Sequence, residues 1–294
     1  MNEHLENSSL ECVAANQKVV VILTLTIAIL LLFIVSFPTH GKITVDPMNL
    51  SFEAQAGENI VREITVKNTG TETTEVSLTL LDWWRSPEGS LQFFSPGSRD
   101  RSCAEWLLYS PSELTIPPQE TKDITVEIQV PEEVLTEGTR WAMLIVQERG
   151  SAREQEGVTT RITINYIVKI FYHDPGYTEK SGKITKMAVE QKNPLSFSIR
   201  AENTSKSYLR SEGTLSIRNL QGETEGEIEI ERFGILPGAK RNITVEWKGD
   251  LTLNQGQYYA IAVMDFGGES LVQGGLPLEI LGEDQAGNTN SSTK

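Results

Sequence analysis

Residues 160–174 read Thr-Arg-Ile-Thr-Ile-Asn-Tyr-Ile-Val-Lys-Ile-Phe-Tyr-His-Asp. The even positions Ile162, Ile164, Tyr166, Val168 and Ile170 are apolar, and Arg161, Thr163, Asn165 and Lys169 between them are polar. A period of two is what a β-strand with one apolar face requires. The run then passes through Asp174-Pro175-Gly176 into a second strand-rich region, so it falls where two domains are expected to meet. A partner, if the chain holds one, is expected to bind here.

The same period recurs on both sides. Upstream, Ile64 and Val66 alternate with Glu63, Thr65 and Lys67 until Asn68-Thr69-Gly70 turns the chain. Val76, Leu78 and Leu80 form the next run, which ends at Asp82-Trp83-Trp84; Ile124, Val126, Ile128 and Val130 form another, and Trp141, Met143 and Ile145 a further one. Residues 43–45 and 50–52 read as one strand interrupted by Pro47, a device suited to a sheet edge. Residues 85–101 read as a long loop around one short strand at 91–94, and the charged, glycine-containing stretch 148–157 as a mobile loop. Short strands at this spacing predict an immunoglobulin-like sandwich over residues 42–174. Downstream, apolar runs near 184–189, 195–201, 215–217, 228–230, 243–247, 258–263 and 276–280 predict a second one over 177–282. The polar stretch 283–294 lacks apolar anchors and is expected to be a disordered tail.

Residues 19–37 are almost purely apolar, about the length that crosses a bilayer as a helix. The lead-in, residues 1–18, carries Glu3, Glu6 and Glu11 against Lys18, and Phe37-Pro38-Thr39-His40 is a poor cleavage site, so an uncleaved anchor is favoured over a signal peptide. Lys18 and Lys42 nearly balance across the segment, which leaves its orientation open. The predicted class is therefore all-β: two immunoglobulin-like sandwiches in series after one N-terminal transmembrane helix.

The chain has 294 residues and a net charge of -14, with acidic side chains scattered among basic ones. No basic face is available for a nucleic-acid backbone, so nucleic acid is not an expected partner. Cys12 and Cys103 stand on opposite sides of the apolar segment, and neither has a neighbour at metal-ligand or redox spacing. Neither a catalytic constellation nor a cofactor-binding motif can be assembled. His4 and His40 flank the anchor, and His173 has no nucleophile or ligand partner nearby in sequence. Glu223, Glu225, Glu227, Glu229 and Glu231 read as the solvent face of an amphipathic strand; Asn49, Asn203 and Asn242 begin glycosylation-type tripeptides at chance frequency. Trp83 and Trp84, being adjacent on a strand, are expected to face opposite ways, one in a core and the other near the surface. No enzyme, metal or small-molecule cofactor is expected.

Several of these stretches, in order, carry a resemblance. Ile64-Thr65-Val66-Lys67-Asn68-Thr69-Gly70, the proline-bearing turn before residues 124–130, residues 141–146 and above all Lys169-Ile170-Phe171-Tyr172 resemble the N-terminal domain of the periplasmic pilus-assembly chaperones. The second region is only generically similar to bacterial immunoglobulin-like domains. The resemblance implies a final strand that completes an unfinished subunit by β-strand addition. By position, Ile162, Ile164, Tyr166 and Val168 would be the lent side chains, and Lys169 would hold the subunit's terminal carboxylate. The family pairs that lysine with an arginine on the first strand, and the nearest counterpart here is Asn49. The same apolar side chains could instead cover the domain's own core.

The expectation is thus a single-pass membrane protein, anchored through its N-terminal helix, whose β domains lie in the periplasm or at the cell surface. Its expected partners are secreted or surface protein subunits. The alternatives are a structural or adhesive envelope protein that links surface components through residues 85–101, and an inverted topology with the sandwiches in the cytosol.

Overall fold

A computed structural model describes residues 43–134, 137–155, 158–192, 194–247 and 253–281. The expected anchor at 19–37, its lead-in and the tail at 283–294 lie outside the described residues. Among the described residues, no helix is long and apolar enough to cross a membrane.

The chain is all-β. In order its strands are β1 (Ile43–Asp46), β2 (Asn49–Glu53), β3 (Asn59–Asn68), β4 (Thr74–Arg85), β5 (Leu91–Phe94), β6 (Leu107–Ser110), β7 (Glu113–Ile116), β8 (Thr121–Gln129), β9 (Thr139–Gln155) and β10 (Val158–His173). There follow β11 (Gly182–Lys192), β12 (Leu195–Asn203), β13 (Leu209–Asn219), β14 (Thr224–Ile235), β15 (Lys240–Glu246), β16 (Gly256–Asp265) and β17 (Val272–Ile280). The N-terminal strands form two sheets, β1-β3-β8-β6 and β2-β10-β9-β4-β5, with β7 added to β4. The C-terminal strands form two more, β11-β12-β15 and β14-β13-β16-β17.

Pro47 does more than mark an edge. Residues 43–52, expected to form one interrupted strand, are two strands in opposing sheets: β1 pairs antiparallel with β3, and β2 parallel with β10. Proline supplies no ladder donor, so the strand breaks where it crosses over. A second difference concerns residues 148–157. Expected as a loop, they continue β9 through Gln155, because β10 pairs with them back from Val158 and satisfies the backbone despite the polar side chains.

The alternation read from the sequence produces a core between the first two sheets. Ile64, Val66, Ile124, Val126 and Ile128 from one sheet meet Phe52, Val76, Leu78, Leu144, Val146, Val168 and Ile170 from the other. The opposite face of the second sheet is not left to solvent. Trp83, Trp141, Met143, Ile145 and Phe171 join Phe197, Ile199, Leu209, Leu215 and Ile217 of the C-terminal sheets, and Leu236 and Ala239 of the turn between β14 and β15, in a second core. Trp83 donates its indole N–H to the Ala142 carbonyl at 3.0 Å, and Trp141 donates to the Trp83 carbonyl at 2.8 Å, so both rings are buried without orphaned donors. Trp84, expected to face away from Trp83, is half-buried against the same core, its ring 6.0 Å from that of Trp141 and 5.5 Å from the Arg99 guanidinium.

Backbone contacts reinforce this shared core. Thr139 N–H donates to the Lys206 carbonyl, Asn242 N–H to the Pro87 carbonyl, and Tyr208 N–H to the Thr139 hydroxyl, each at 2.8 Å. Gly138 has φ +90°, and a Cβ there would lie 2.3 Å from the Lys206 carbonyl oxygen, so only glycine permits this approach. Residues 43–281, as far as they are described, belong to one compact unit.

Candidate functional site

Strand β10 is the longest-range organiser of the site. Along one edge it pairs with β9 over nearly its whole length. Along the other it carries β2 only from Lys169 to His173. The last link is the Lys169 N–H, which donates to the Met48 carbonyl at 3.0 Å. From Val158 to Val168 no described strand lies beside that edge. At roughly 3.3 Å per residue the open edge is about 35 Å long. Unpaired N–H and C=O groups along such an edge are a template for another strand.

The side chains along it are graded. Ile162 is 69 % exposed, and Ile164 and Tyr166 are half-buried, whereas Val168 is fully enclosed by the chain's own core. Tyr166 packs against that core and donates its hydroxyl to Glu148 at 3.3 Å. Of the four side chains singled out in the sequence for a partner, only Ile162 is exposed in this structure. A register shift between Arg161 and Thr163, around Ile162, lies near the middle of the open edge.

Lys169 ends the open stretch and points into a cleft between the N-terminal and C-terminal sheets. The cleft, about 80 Å³, is lined by Trp83, Arg85, Lys169, Tyr208, Gly234, Leu236, Ala239 and Arg241. Lys169 Nζ lies 5.8 Å from the Trp83 ring centroid. Burial, then the charges of Arg85 and Arg241, hold the Lys169 ammonium below its ordinary pKa. Arg241 is likewise held below the ordinary guanidinium value by burial and then by Arg85, with Tyr208 acting in the opposite sense. None of the three cations makes an ion pair among the described residues. Arg241 Nε and Nη1 are buried without a hydrogen-bond partner. Three cations, no carboxylate and two unused guanidinium nitrogens are the complement of an oxyanion.

Asn49, the expected substitute for a second cation, is the register partner of Lys169 on β2 and carries no charge. Arg85 at the end of β4 and Arg241 on β15 supply the positive charge instead. Neither was legible as a site residue, since Arg85 read as the first residue of a loop and Arg241 lies outside the apolar run at 243–247.

Other candidates take their places in the frame. Among the described residues no group of three His, Cys, Asp or Glu side chains could hold a metal ion. Cys103 is fully buried, and burial pushes its thiol up to about 12, which makes it inert at neutral pH. The five glutamates of residues 223–231 are exposed, and Ile228 and Ile230 between them turn inward. Asn203 is buried, donating to the Ser207 and Ile235 carbonyls at 2.7 and 3.0 Å, and is a structural amide.

Solved structures of pilus chaperones are similar to this chain. The CupB2 chaperone of Pseudomonas aeruginosa matches at 10 % identity over 81 % of this chain and 100 % of its own, with a TM-score of 0.40. The complex of the SafB chaperone with the SafA pilin of Salmonella enterica matches at 11 % identity over 82 % and 98 %, with a TM-score of 0.43. The CsuC–CsuE chaperone and tip adhesion subunit complex of Acinetobacter baumannii matches at 10 % identity over 81 % and 98 %, with a TM-score of 0.43. No family profile matches the sequence, and neither does any curated protein.

Proposed function

We propose that this protein is a membrane-anchored, extracytoplasmic chaperone-like module that captures secreted or surface protein subunits by β-strand addition to β10. The observation that carries the reading is the open edge from Val158 to Val168, which bears Ile162 and Ile164 and is ended by the Lys169 cleft. An extended segment laid on that edge gains main-chain hydrogen bonds from β10, while its alternate side chains meet exposed Ile162 and half-buried Ile164. The cleft then receives a carboxylate, with Lys169 as a point charge and Arg85 and Arg241 as planar donors. On this reading the two pairs of sheets are immunoglobulin-like modules in series, residues 19–37 are the anchor, and the role is binding rather than catalysis. Tyr166 and Val168 act from within, the first as a half-buried shoulder and the second as part of the strand's footing.

The test uses the full chain and a synthetic extended peptide of alternating valine and threonine, with a free or an amidated C-terminus. Ile164→Glu is expected to abolish binding, because it places a charge on the apolar side of the edge. Amidation is expected to weaken binding about tenfold, the loss of roughly one charge-assisted contact. Binding that survives Ile164→Glu undiminished would remove β10 from the mechanism.

A further inference from the structure

Arg99, in the loop after β5, is held in place by contacts that leave its side-chain donors unspent. Its main-chain N–H donates to the Asp82 carboxylate at 3.0 Å, and its carbonyl accepts the Ser102 N–H at 2.9 Å. Asp82 is buried and also accepts the Ser102 hydroxyl, which ties this loop to β4. Arg140 on β9 ties it again, donating to the Asp100 and Ser102 carbonyls at 3.2 and 3.1 Å. The Arg99 guanidinium lies 4.9 Å from the Phe94 ring centroid and 5.5 Å from that of Trp84. These two rings are diagonal neighbours in the β4–β5 ladder, where Asp82 pairs with Phe94 and Trp84 with Gln92. Cation–π contacts position a guanidinium and consume none of its N–H groups. Among the described residues, no hydrogen bond or ion pair engages the Arg99 side chain.

Arg101 is half engaged. Its Nη1 donates to the Glu137 and Thr139 carbonyls at 2.9 and 3.2 Å, while Nε and Nη2 have no partner among the described residues. Both arginines line a cleft of about 250 Å³ with Trp84, Trp141 and Pro237, the last from the turn between β14 and β15. Exposed Asp100 is the one carboxylate in the lining, and it makes no ion pair among the described residues. Two guanidinium groups against one carboxylate leave a single surplus positive charge, in a chain whose net charge is -14. That surplus complements a monoanion. A planar carboxylate matches the guanidinium fork, whereas a near-dianionic phosphate would overshoot the charge and be repelled by Asp100. A second groove, about 650 Å³, adjoins the cleft at Ser98, which lines both, and runs past Leu80, Leu81, Phe93 and Phe94. Phe93 is 50 % exposed. Aromatic side chains with arginine beside them are the composition of interface hot spots.

We propose that Arg99 and Arg101 form a docking site for a peptide segment in which an acidic side chain stands next to apolar ones. The carboxylate enters the cleft as the partner of the free guanidinium donors, and the neighbouring apolar side chains cover Phe93, Leu80 and Leu81. In the sheet order β9 and β4 stand between β10 and β5, so this site is separate from the open edge of β10. It holds whether or not β10 captures a partner.

The probe is a glycine-serine peptide with a central leucine-phenylalanine-glutamate run, acetylated and amidated so that it carries no terminal charge. It is titrated into the isotope-labelled full chain, and the Arg99 Nε–H and the Trp84 indole N–H are followed by NMR. The expected result is a saturable shift of both signals with a Kd below about 1 mM. Glutamine in place of the peptide's glutamate, or Arg99→Gln in the protein, is expected to weaken binding about tenfold, the loss of one charge-assisted contact. Ile164→Glu is expected to leave it unchanged, which separates this site from β10. Equal binding of the glutamate and glutamine peptides, or stationary Arg99 and Trp84 signals up to about 1 mM peptide, overturns the proposal. So does displacement of the peptide by an equimolar amount of inorganic phosphate, which would make the cleft a site for small oxyanions alone. The comparison of the two peptides on the wild-type chain decides the matter even where the variants do not fold.

Discussion

Replacing Arg241 by methionine should make the unoccupied protein more stable, not less. Arg241 contributes two buried nitrogens, Nε and Nη1, that find no hydrogen-bond partner, and it sits beside the like charges of Arg85 and Lys169. An unsatisfied buried donor costs about 1–3 kcal/mol. Methionine fills the volume of the aliphatic stem without the donors or the charge, so most of the packing survives. Allowing for partial solvation of the cleft, the expected gain is about 1–2 kcal/mol. For a folded unit of this size that corresponds to a rise in Tm of about 2–6 °C. Urea denaturation and thermal melting in a zwitterionic buffer free of phosphate and carboxylates would measure it. Added acetate or phosphate should then stabilise the wild type more than the variant, since binding to the folded state adds stability by mass action. A fall in stability of more than about 1 kcal/mol for Arg241→Met in the anion-free buffer would refute the reasoning, because the guanidinium would then be satisfied by contacts that the geometry lacks.

Three further outcomes are expected. Gly138→Ala should lose about 2–3 kcal/mol in urea denaturation, because it forces a Cβ into a left-handed position and against the Lys206 carbonyl. Cys103 should resist thiol reagents in the native protein and react only on unfolding; its thiol titrates near 12 folded against an ordinary 9.0, so stability is full below about pH 9 and drains away as pH rises toward 12. Cys103→Ala should flatten that alkaline limb in a pH series of urea midpoints. Asp82→Ala should also destabilise, by about 2–3 kcal/mol, since the buried carboxylate accepts the Ser102 hydroxyl at 2.5 Å and the Arg99 N–H at 3.0 Å and anchors the loop after β5.

Periodicity made most of the strands legible, because a half-buried strand writes its burial into every second residue. Ile64 and Val66, or Ile124, Val126 and Ile128, are buried as their alternation demands. Two local readings went astray for a common reason. The backbone of residues 148–155 is satisfied by β10, and residues 43–52 are divided between two sheets, and in both cases the deciding partner is remote in sequence. For the same reason Lys169 was legible as a strand end, whereas the company of Arg85 and Arg241 was not. The three side chains meet only when β4, β10 and β15 converge, and no window of sequence contains them. His173 read as a histidine with no partner nearby in sequence; its hydrogen-bond partner Thr139 lies opposite it on β9.

The inner half of β10 has one face in each of two hydrophobic cores: Val168, Ile170 and Tyr172 in the first, Ile167 and Phe171 in the second. Sliding this strand by a single residue would exchange the occupants of both cores at once. Its phase is therefore locked, and the lock extends along the same covalent ribbon to the outer half, which β9 pairs on one edge only. A visiting chain would dock onto a ruler whose graduations cannot shift, so any preference for one alignment would be dictated by this protein and not by the newcomer.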